Sequence, residues 1–251
     1  MFDVFIIGGG INGCGIARDA AGRGLSVCLA EKEDLGAKTS SGSTKLLHGG
    51  LRYLEHYAFN LVRNSLIERE VLWSIAPHII YPLRFVLPHH RGLRPSALLR
   101  LGLFIYDHLG GRKNLSKSRK IFFASEEVGK PLRSEFKIGF EYSDCWVDDA
   151  RLVLMNARDA AEKGAKILPR HQVTSARREN GLWVIETRDH NSKKHQFRAR
   201  ILVNAAGPWV SQLTDSVIGG AVRRNMRLIR GSHIVVPKLY THDRCYLLQN
   251  S

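Results

Sequence analysis

Three glycines near the start of the chain have the spacing of a phosphate-binding turn. Gly8, Gly10 and Gly13 follow an apolar run at 3–7 and open a stretch with helical character. In such a turn the first glycine permits a tight bend, the second lets backbone approach a pyrophosphate, and the third lets helix and strand pack closely. The helix N-terminus then offers free backbone N–H groups to the phosphates. The pattern predicts a dinucleotide site, with an ordinary glycine-rich turn as the alternative.

An acidic residue at the end of the second apolar run supports this interpretation. Glu31 ends the run 26–31 and stands 18 residues after Gly13, where a carboxylate can accept hydrogen bonds from the hydroxyls of a ribose. Because a negative charge there disfavours a 2′-phosphate, NADP is not expected. The glycines and Glu31 alone do not separate NAD from FAD.

The chain after Glu31 favours FAD. An NAD domain would continue promptly with a helix and a third parallel strand, whereas here more than 100 residues pass before 165–169 offers that strand. A β-meander and the run 201–207, which ends in a glycine turn, then follow. Such an insertion suits a flavoprotein whose isoalloxazine ring needs its own pocket. The alternative is an NAD domain with an extended connection.

A second stretch, residues 39–57, is rich in chemistry but has the period of neither a helix nor a strand. It gathers small hydroxyl residues, a lysine, a histidine, two adjacent glycines, an arginine and a tyrosine. Its composition makes it a candidate functional segment. In the alternative interpretation, Tyr53 and His56 are ordinary core or surface residues at the start of a helix.

The elements that would position these residues alternate strand and helix around a long insertion. Apolar periodicity and turn signals carry this prediction, which makes the chain an α/β protein. The predicted elements are strand 3–7, helix 13–23, strand 26–31, helices 58–75 and 96–109, helix 149–163 with Asp148 as its cap and Gly164 at its end, strand 165–169, and a β-meander with turns at Asn180-Gly181 and around Asn191-Ser192.

Composition sets broad limits on the function. The chain has 251 residues, 44% of them hydrophobic, and a formal net charge of +15, which favours anionic partners. Four cysteines without a CxxC pair indicate neither zinc nor a disulfide framework. The histidines show no ligand spacing, so no metal is predicted. Neither a secretory signal nor a membrane-spanning run is expected.

Six segments together resemble one family over nearly the whole chain. The family is the FAD-dependent, aerobic respiratory glycerol-3-phosphate dehydrogenases, and the match is to their N-terminal part. The segments are IIGGGINGCGIARDAAGRGLSV, TSSGSTKLLHGGLRYLEH, GFEYSDCWVDDARLVLMNA, TSARRENGLWVIET, NAAGPWV and RLIRGSHIVVP.

The resemblance implies a Rossmann-like FAD-binding domain of the glutathione-reductase or D-amino-acid-oxidase type, with a β-meander and part of a substrate domain. Residues 1–75 and 145–215 would form the FAD-binding domain, and 76–144 and 216–251 parts of a substrate and membrane-facing domain. A C-terminal remainder would be absent. The implied reaction oxidises sn-glycerol 3-phosphate to dihydroxyacetone phosphate and passes electrons to a quinone.

The resemblance also assigns roles along residues 39–57. Arg52 would bind the substrate phosphate through its planar fork, and Tyr53 would hydrogen-bond a phosphate or hydroxyl oxygen. His48 would be the base for the hydroxyl proton, or instead hydrogen-bond the flavin or its own backbone. The implied cofactor-binding residues are Gly8, Gly10, Gly13, Glu31, Ser40, Ser41, Ser43, Thr44, Lys45, Gly49, Gly50, Val173, Ala206 and Gly207.

Location and partners follow from the same resemblance. The enzyme would be cytoplasmic and peripheral to the inner membrane, with no nucleic-acid partner and with homodimerisation left open. The basic loop 112–120 beside the apolar helix 96–109 is the candidate membrane surface, and a buried helix with a solvated loop is the alternative. Three further alternatives remain: a non-catalytic FAD-binding fragment, an FAD-dependent glycerol-3-phosphate oxidase and an FAD-dependent amine oxidase.

Overall fold

The computed structural model describes residues 1–111, 114–219, 227–229 and 231–249, which form two compact units. The first unit comprises 1–44 and 149–233, and the second comprises 45–148 and 234–251. The strands are β1 (Phe2–Ile7), β2 (Val27–Ala30), β3 (Leu46–Leu47), β4 (Ile80–His89), β5 (Arg119–Phe122), β6 (Ile138–Val147), β7 (Lys166–Leu168), β8 (His171–Glu179), β9 (Leu182–Asp189), β10 (Lys194–Asn204) and β11 (Arg244–Tyr246). The helices are α1 (Ile11–Gly22), α2 (Phe59–Ile75), α3 (Ser96–Leu109), α4 (Asp149–Glu162) and α5 (Val210–Leu213), with shorter turns at Leu51–His56, Phe123–Ser125, Glu127–Gly129, Gly207–Trp209 and Thr214–Ile218.

A six-stranded sheet forms the centre of the first unit, in the order β7-β2-β1-β10-β9-β8. The strands β7, β2, β1 and the end of β10 are parallel, whereas β8, β9 and the start of β10 form an antiparallel meander. Residues 4–7 of β1 are all buried, as expected for a central parallel strand that is covered on both faces. The predicted Rossmann-like α/β fold with a β-meander is confirmed.

One long strand joins the two halves of this sheet. Up to Ala199, β10 pairs antiparallel with β9, and from Ala199 onward it pairs parallel with β1. Ala199 has a partner on each side, Phe2 and Trp183, and is fully buried. The glycine turn of β1 and the loop after β10 therefore lie at the same edge of the sheet.

Small side chains bring α1 and α4 onto one face of the sheet. Cys14, Ala17 and Ala21 of α1 share a buried cluster with Val153 and Ala157 of α4. Because these side chains are short, both helices lie close to β1 and β2 without leaving a void. The predicted helices 13–23 and 149–163 thus match α1 and α4, although α1 begins two residues earlier than predicted.

The second unit is built on another sheet, with the order β11-β4-β6-β3 and with β5 paired to β6. The strands β4 and β6 pair antiparallel along their whole length. The helices α2 and α3 cover this sheet through Val62, Leu66 and Leu103, which cluster with Phe85 and Phe140. The sequence predicted these helices but none of these strands.

The chain passes between the two units at 44–45, 148–149 and 233–234, whereas the predicted domains divide after residues 75, 144 and 215. The helix α2 belongs to the second unit because it buries Val62, Leu66 and Arg69. The functional division between an FAD domain and a substrate domain stays a prediction.

The helix α3 leaves part of its apolar surface exposed. Only Leu103 and Tyr106 are fully buried, whereas Leu98, Leu101 and Phe104 are exposed. Among the described residues, none of the helices is both long and apolar enough to span a bilayer.

A buried carboxylate ties four strands of the second unit together. Glu141 on β6 is 2% exposed and accepts hydrogen bonds from Arg84 on β4, Arg119 on β5 and Arg244 on β11, at 2.7 to 2.9 Å. Burial acts to raise the pKa of Glu141, but the hydrogen bonds from Arg84, Arg244 and Arg119 outweigh it and lower the pKa from 4.5 to about 2. The carboxylate is therefore ionised at all physiological pH values.

This arrangement predicts acid sensitivity of the second unit. Because the folded pKa lies below the unfolded one, the contribution of Glu141 to the free energy of unfolding is complete above about pH 4.5 and is lost as the pH falls towards about 2. We expect Glu141→Gln to lower the free energy of unfolding at pH 7 by about 1.5–3 kcal/mol, because the half-buried Arg84 and Arg244 lose their counter-ion, whereas the exposed Arg119 keeps its ion pair with Glu126.

The measurement is chemical denaturation at a series of pH values between 7 and about 3. Glu68→Gln is the matched control, since Glu68 is an exposed carboxylate on α2. If Glu141→Gln and Glu68→Gln have the same free energy of unfolding at pH 7 and lose it equally as the pH falls, the stabilising role of the cluster is wrong.

Candidate functional site

The turn after β1 can be made only by glycine at its first position. Gly8 has φ +111°, and a Cβ placed there would lie 2.5 Å from the carbonyl oxygen of Ala205. That approach is forced because the backbone N–H of Ala205 donates to the carbonyl of Ile7 at 2.8 Å, which keeps the two chain segments side by side. The predicted role of Gly8 as a tight-turn residue is consistent with this geometry.

Gly13 brings α1 against the same turn. A Cβ on Gly13 would lie 1.9 Å from the carbonyl oxygen of Gly8, which no side chain allows. At the first residue of α1, the backbone N–H of Ile11 donates to Oγ of Ser40 at 3.0 Å. Ser40 thus caps the helix end where a pyrophosphate would bind, and its hydroxyl is positioned to share that role with a phosphate oxygen.

Glu31 is held firmly at the carboxyl end of β2. Its two carboxylate oxygens accept the backbone N–H of Gly9 at 2.7 Å and of Glu33 at 2.9 Å. A carboxylate has about four acceptor positions, so Glu31 keeps capacity for the hydroxyls of a ribose. The contact with Gly9 fixes this acid beside the glycine turn.

These residues line a cleft within the first unit, at the carboxyl ends of β1, β2 and β10. The cleft encloses about 230 Å³. Complete ligand sites usually enclose roughly 300 to 1,000 Å³, so this unit surrounds only part of a ligand as large as a dinucleotide. The predicted cofactor residues that line the cleft are Gly8, Gly10, Glu31, Ser40, Val173, Ala206 and Gly207.

Other predicted cofactor residues of the first unit do not line this cleft. Gly13 lies behind the turn, and the hydroxyl of Ser41 donates to the carbonyl of Lys38 at 3.2 Å. The hydroxyl of Ser43 donates to Asp149 at 2.7 Å, which attaches the segment to the start of α4. Thr44 is exposed and is not part of the lining.

Sequence reasoning missed several residues of the cleft. Lys32 lies 5.2 Å from the centroid of the Trp209 ring, and both side chains line the cleft. Lys38 also lines it and forms an ion pair with Glu33 at 2.9 Å. Because ligands of open α/β sheets bind at the carboxyl ends of the strands, the residues just after β2 and β10 carried the signal that would have found Lys32 and Trp209.

The second unit holds the histidine, the paired glycines and the arginine of the candidate segment. The backbone N–H of Gly50 donates to Nδ1 of His48 at 3.0 Å. In the neutral ring the proton is therefore on Nε2, and His48, which is exposed, presents a donor rather than an acceptor to a ligand. This tautomer favours a hydrogen bond from His48 to a ligand oxygen over the predicted role as a base.

A buried hydrogen-bond chain holds Gly49. Its backbone N–H donates to Oη of Tyr106 at 2.7 Å, and the hydroxyl of Tyr106 lies 2.9 Å from both oxygens of Asp144. Arg69 donates to the same carboxylate at 2.6 Å. Burial, followed by the charge of Asp144, raises the pKa of Tyr106 well above 10. The hydroxyl therefore stays protonated and donates a hydrogen bond to Asp144. The 48–50 loop is therefore attached to the core of the second unit.

The predicted substrate residues lie directly after this loop. Arg52 is exposed and makes no salt bridge among the residues that the structure describes. Tyr53 is 49% exposed, and its ring packs against Gly50. Lys45, at φ +56°, belongs to this unit and accepts the N–H of Val147 through its carbonyl. Within the segment 227–237, which carries part of the family resemblance, Arg230 lies outside the described residues.

Comparisons with known proteins identify the family of the chain. A family model described as FAD dependent oxidoreductase matches residues 3–249. The chain is 60% identical to a D-erythritol 1-phosphate dehydrogenase of Brucella abortus and 57% identical to an aerobic glycerol-3-phosphate dehydrogenase of Escherichia coli, each over 99% of the chain. It covers 50% and 49% of those proteins, so it spans about half the length of the curated relatives it matches.

Solved structures show the same fold. A glycerol-3-phosphate dehydrogenase from Bacillus halodurans complexed with FAD aligns with a TM-score of 0.65 and 30% identity, over 86% of this chain and 36% of that one. An L-alpha-glycerophosphate oxidase from Mycoplasma pneumoniae with FAD bound aligns with a TM-score of 0.64 over 86% of this chain and 56% of that one. Its identity is 21%, which supports the fold alone.

The packing of Gly13 gives a sharp prediction. We expect Gly13→Ala to weaken FAD binding at least about tenfold, which is about 1.4 kcal/mol, because the added methyl group pushes α1 away from the turn that would hold the pyrophosphate. Gly15→Ala is the matched control: it lies on the same helix, and its added Cβ would meet no atom within 4 Å.

The measurement is the flavin content of the purified protein and the affinity of the apoprotein for FAD by fluorescence titration. Gly15→Ala should bind FAD as the parent does. Equal FAD affinity in the Gly13 and Gly15 variants would contradict the assignment of this turn to the cofactor.

Proposed function

We propose, because this chain belongs to the FAD dependent oxidoreductase family, that the protein oxidises the secondary alcohol of a polyol phosphate. Glycerol 3-phosphate is the first candidate, oxidised to dihydroxyacetone phosphate with electrons passed on to a quinone. The observation that carries the proposal is the exposed guanidinium group of Arg52, which directly follows a loop fixed to the core. The 57% identity with an aerobic glycerol-3-phosphate dehydrogenase supports it.

The first unit fits FAD by the shape of its cleft. The turn between Gly8 and Gly13 leaves room for backbone where side chains would collide, and it ends in the N-terminus of α1, which favours a pyrophosphate. Glu31 would bind the ribose hydroxyls, and the backbone of Val173 would lie beside the adenine. When bound, FAD supplies the acceptor for the hydride that leaves the carbon bearing the alcohol.

The second unit supplies the groups for the substrate. The planar guanidinium of Arg52 can form two parallel hydrogen bonds to a phosphate, which an ammonium group cannot do. Tyr53 would donate its hydroxyl to a phosphate or hydroxyl oxygen. His48 would donate Nε2–H to the substrate oxygen, and the hydroxyl proton would pass to a solvent water, because the N–H of Gly50 occupies Nδ1 of His48.

A second candidate substrate is D-erythritol 1-phosphate. The 60% identity with a dehydrogenase named for that compound favours it. Both substrates carry a phosphate for Arg52 and a secondary alcohol for oxidation. The residues assigned to the substrate in this chain would contact only features that the two compounds share, so these residues would not select between them.

A membrane surface and a quinone complete the proposal. The exposed Leu98, Leu101 and Phe104 on α3 would enter the interface. The basic loop 112–120, of which 114–120 is described, would contact anionic headgroups through its lysines, such as Lys117 and Lys120, each contributing on the order of 1 kcal/mol, whereas Arg119 is paired with Glu141. The protein would then act at the cytoplasmic face of the inner membrane. Homodimerisation stays a prediction.

Anaerobic reduction of the flavin tests the reaction class. We expect the visible absorbance of the oxidised flavin in the purified protein to bleach with glycerol 3-phosphate or D-erythritol 1-phosphate, and not with glycerol, which lacks the phosphate. The ratio of the two bimolecular rates ranks the substrates. Bleaching by an amino acid, with none by either polyol phosphate, would overturn the proposal in favour of an amine oxidase.

The role of Arg52 gives a second test. We expect Arg52→Ala to raise KM for the polyol phosphate by about 10- to 150-fold, since a hydrogen bond to a charged group contributes about 1.5–3 kcal/mol. Arg52→Lys should recover only part of the loss, because lysine cannot bind in a bidentate manner. Arg63→Ala, which removes another exposed arginine of the second unit, is the control. An unchanged KM in Arg52→Ala would exclude phosphate binding by this residue.

A further inference from the structure

Three metal-ligating side chains of the first unit meet across the meander. His171 starts β8, Asp189 ends β9 and His195 lies near the start of β10. His171 is the register partner of Asp189, and His195 is the partner of Thr187, two residues before Asp189. Since directly paired residues, and residues two apart on a strand, share a face, all these side chains lie on one face of the sheet.

Existing hydrogen bonds orient the three groups towards one another. Nδ1 of His171 lies 2.9 Å from the carbonyl of Pro169, so Nε2 is left for a ligand. One oxygen of Asp189 accepts the backbone N–H groups of Asn191 and Lys193, and the other lies 2.8 Å from Nε2 of His195. Partners of this kind fix the tautomer and the ring orientation in known metal sites.

A buried polar atom on the same face points independently to a missing ligand. Thr187 is fully buried, and its hydroxyl has no hydrogen-bond partner among the residues that the structure describes. A buried hydroxyl without a hydrogen-bond partner lowers the stability of the folded state by about 1–3 kcal/mol. Thr187 is the register partner of His195 and stands two residues before Asp189, so its side chain lies on the same face of the sheet as the three ligands, where a metal-bound water would satisfy its hydroxyl.

We propose that His171, Asp189 and His195 bind one divalent transition-metal ion, with a water in an open position that the hydroxyl of Thr187 holds. One ligand atom from each residue lies within 4.8 Å of the others, and all three side chains are half-buried. Two metal–ligand bonds of about 2.1 Å span at most about 4.2 Å, so small side-chain rotations close the site. Two imidazoles and one carboxylate suit Zn²⁺, Co²⁺ or Fe²⁺.

The competing reading is a simple ion pair that closes the hairpin. The hydrogen bond from His195 is the largest influence on Asp189 and lowers its pKa, so the carboxylate is ionised at neutral pH. Lys193 and Lys194 are exposed beside the cluster and reduce its attraction for a cation. An ion pair between Asp189 and His195, however, gives His171 no part in the cluster and leaves the hydroxyl of Thr187 unsatisfied. A metal ion accounts for both.

Metal titration of the purified, tag-free protein tests the site. Zn²⁺ is added in competition with a chromophoric chelator, and Co²⁺ is added separately to record its visible spectrum. We expect one tight Zn²⁺ site in the parent, at least about tenfold weaker binding in His171→Gln and in His195→Gln, and parental binding in His190→Gln. His190 is exposed and next to the cluster but outside it, which makes it the matched control.

Thermal unfolding of each metal-free variant verifies that it folds. The second readout is the rise in Tm on addition of Zn²⁺, which we expect in the parent and in His190→Gln but not in the two ligand variants. Thr187→Val should weaken Zn²⁺ binding several-fold if its hydroxyl holds the bound water. Absence of a tight site in the parent, or equal affinity in all three histidine variants, would overturn the proposal. A Co²⁺ spectrum with a thiolate band would also overturn it, because it would assign the metal to a cysteine.

Discussion

The buried ion pair between Arg69 and Asp144 is the interaction on which the second unit depends. Both side chains are at most 4% exposed. Removing Arg69 would leave the buried charge of Asp144 uncompensated, whereas Arg69 has a second carboxylate partner in Glu70. Arg69 belongs to α2, Asp144 to β6, and Tyr106, which contacts the same carboxylate, to α3. These three elements must therefore be in place together. The N–H of Gly49 donates to Tyr106, so a hydrogen bond to the core, rather than the short sequence of the loop itself, fixes the loop that contains His48.

The first unit could be predicted from the sequence because its signals are local. The glycines after β1, the small residues of α1, the acid after β2 and the Asn180-Gly181 turn each mark their element without reference to distant residues. The position of the cleft could be inferred from these signals, because ligands of open α/β sheets bind where the parallel strands end. Lys32 and Trp209 were missed because their 5.2 Å contact joins residues far apart in the chain.

The second unit could not be predicted because its strands contradict local rules. Pro82 and Pro88 lie inside β4, and proline normally argues against a paired strand. Along β6, buried Glu141 and Asp144 break the apolar pattern, and only their partners on other elements explain them. The cluster on the meander was invisible for a related reason: its ligands are separated by 18 and 6 residues, and the register of three strands brings them together.

The position of β1 has a consequence for synthesis on the ribosome. Its apolar residues lie between β2 and β10, and Phe2 pairs with Ala199. At about 5–20 residues per second, roughly 10 to 40 s separate the emergence of these two residues from the ribosome. During that interval β2 can occupy one edge of β1, while the other remains an unpaired apolar edge of the kind that promotes aggregation. This edge of β1 therefore stays open to pairing with other chains until β10 has been synthesised.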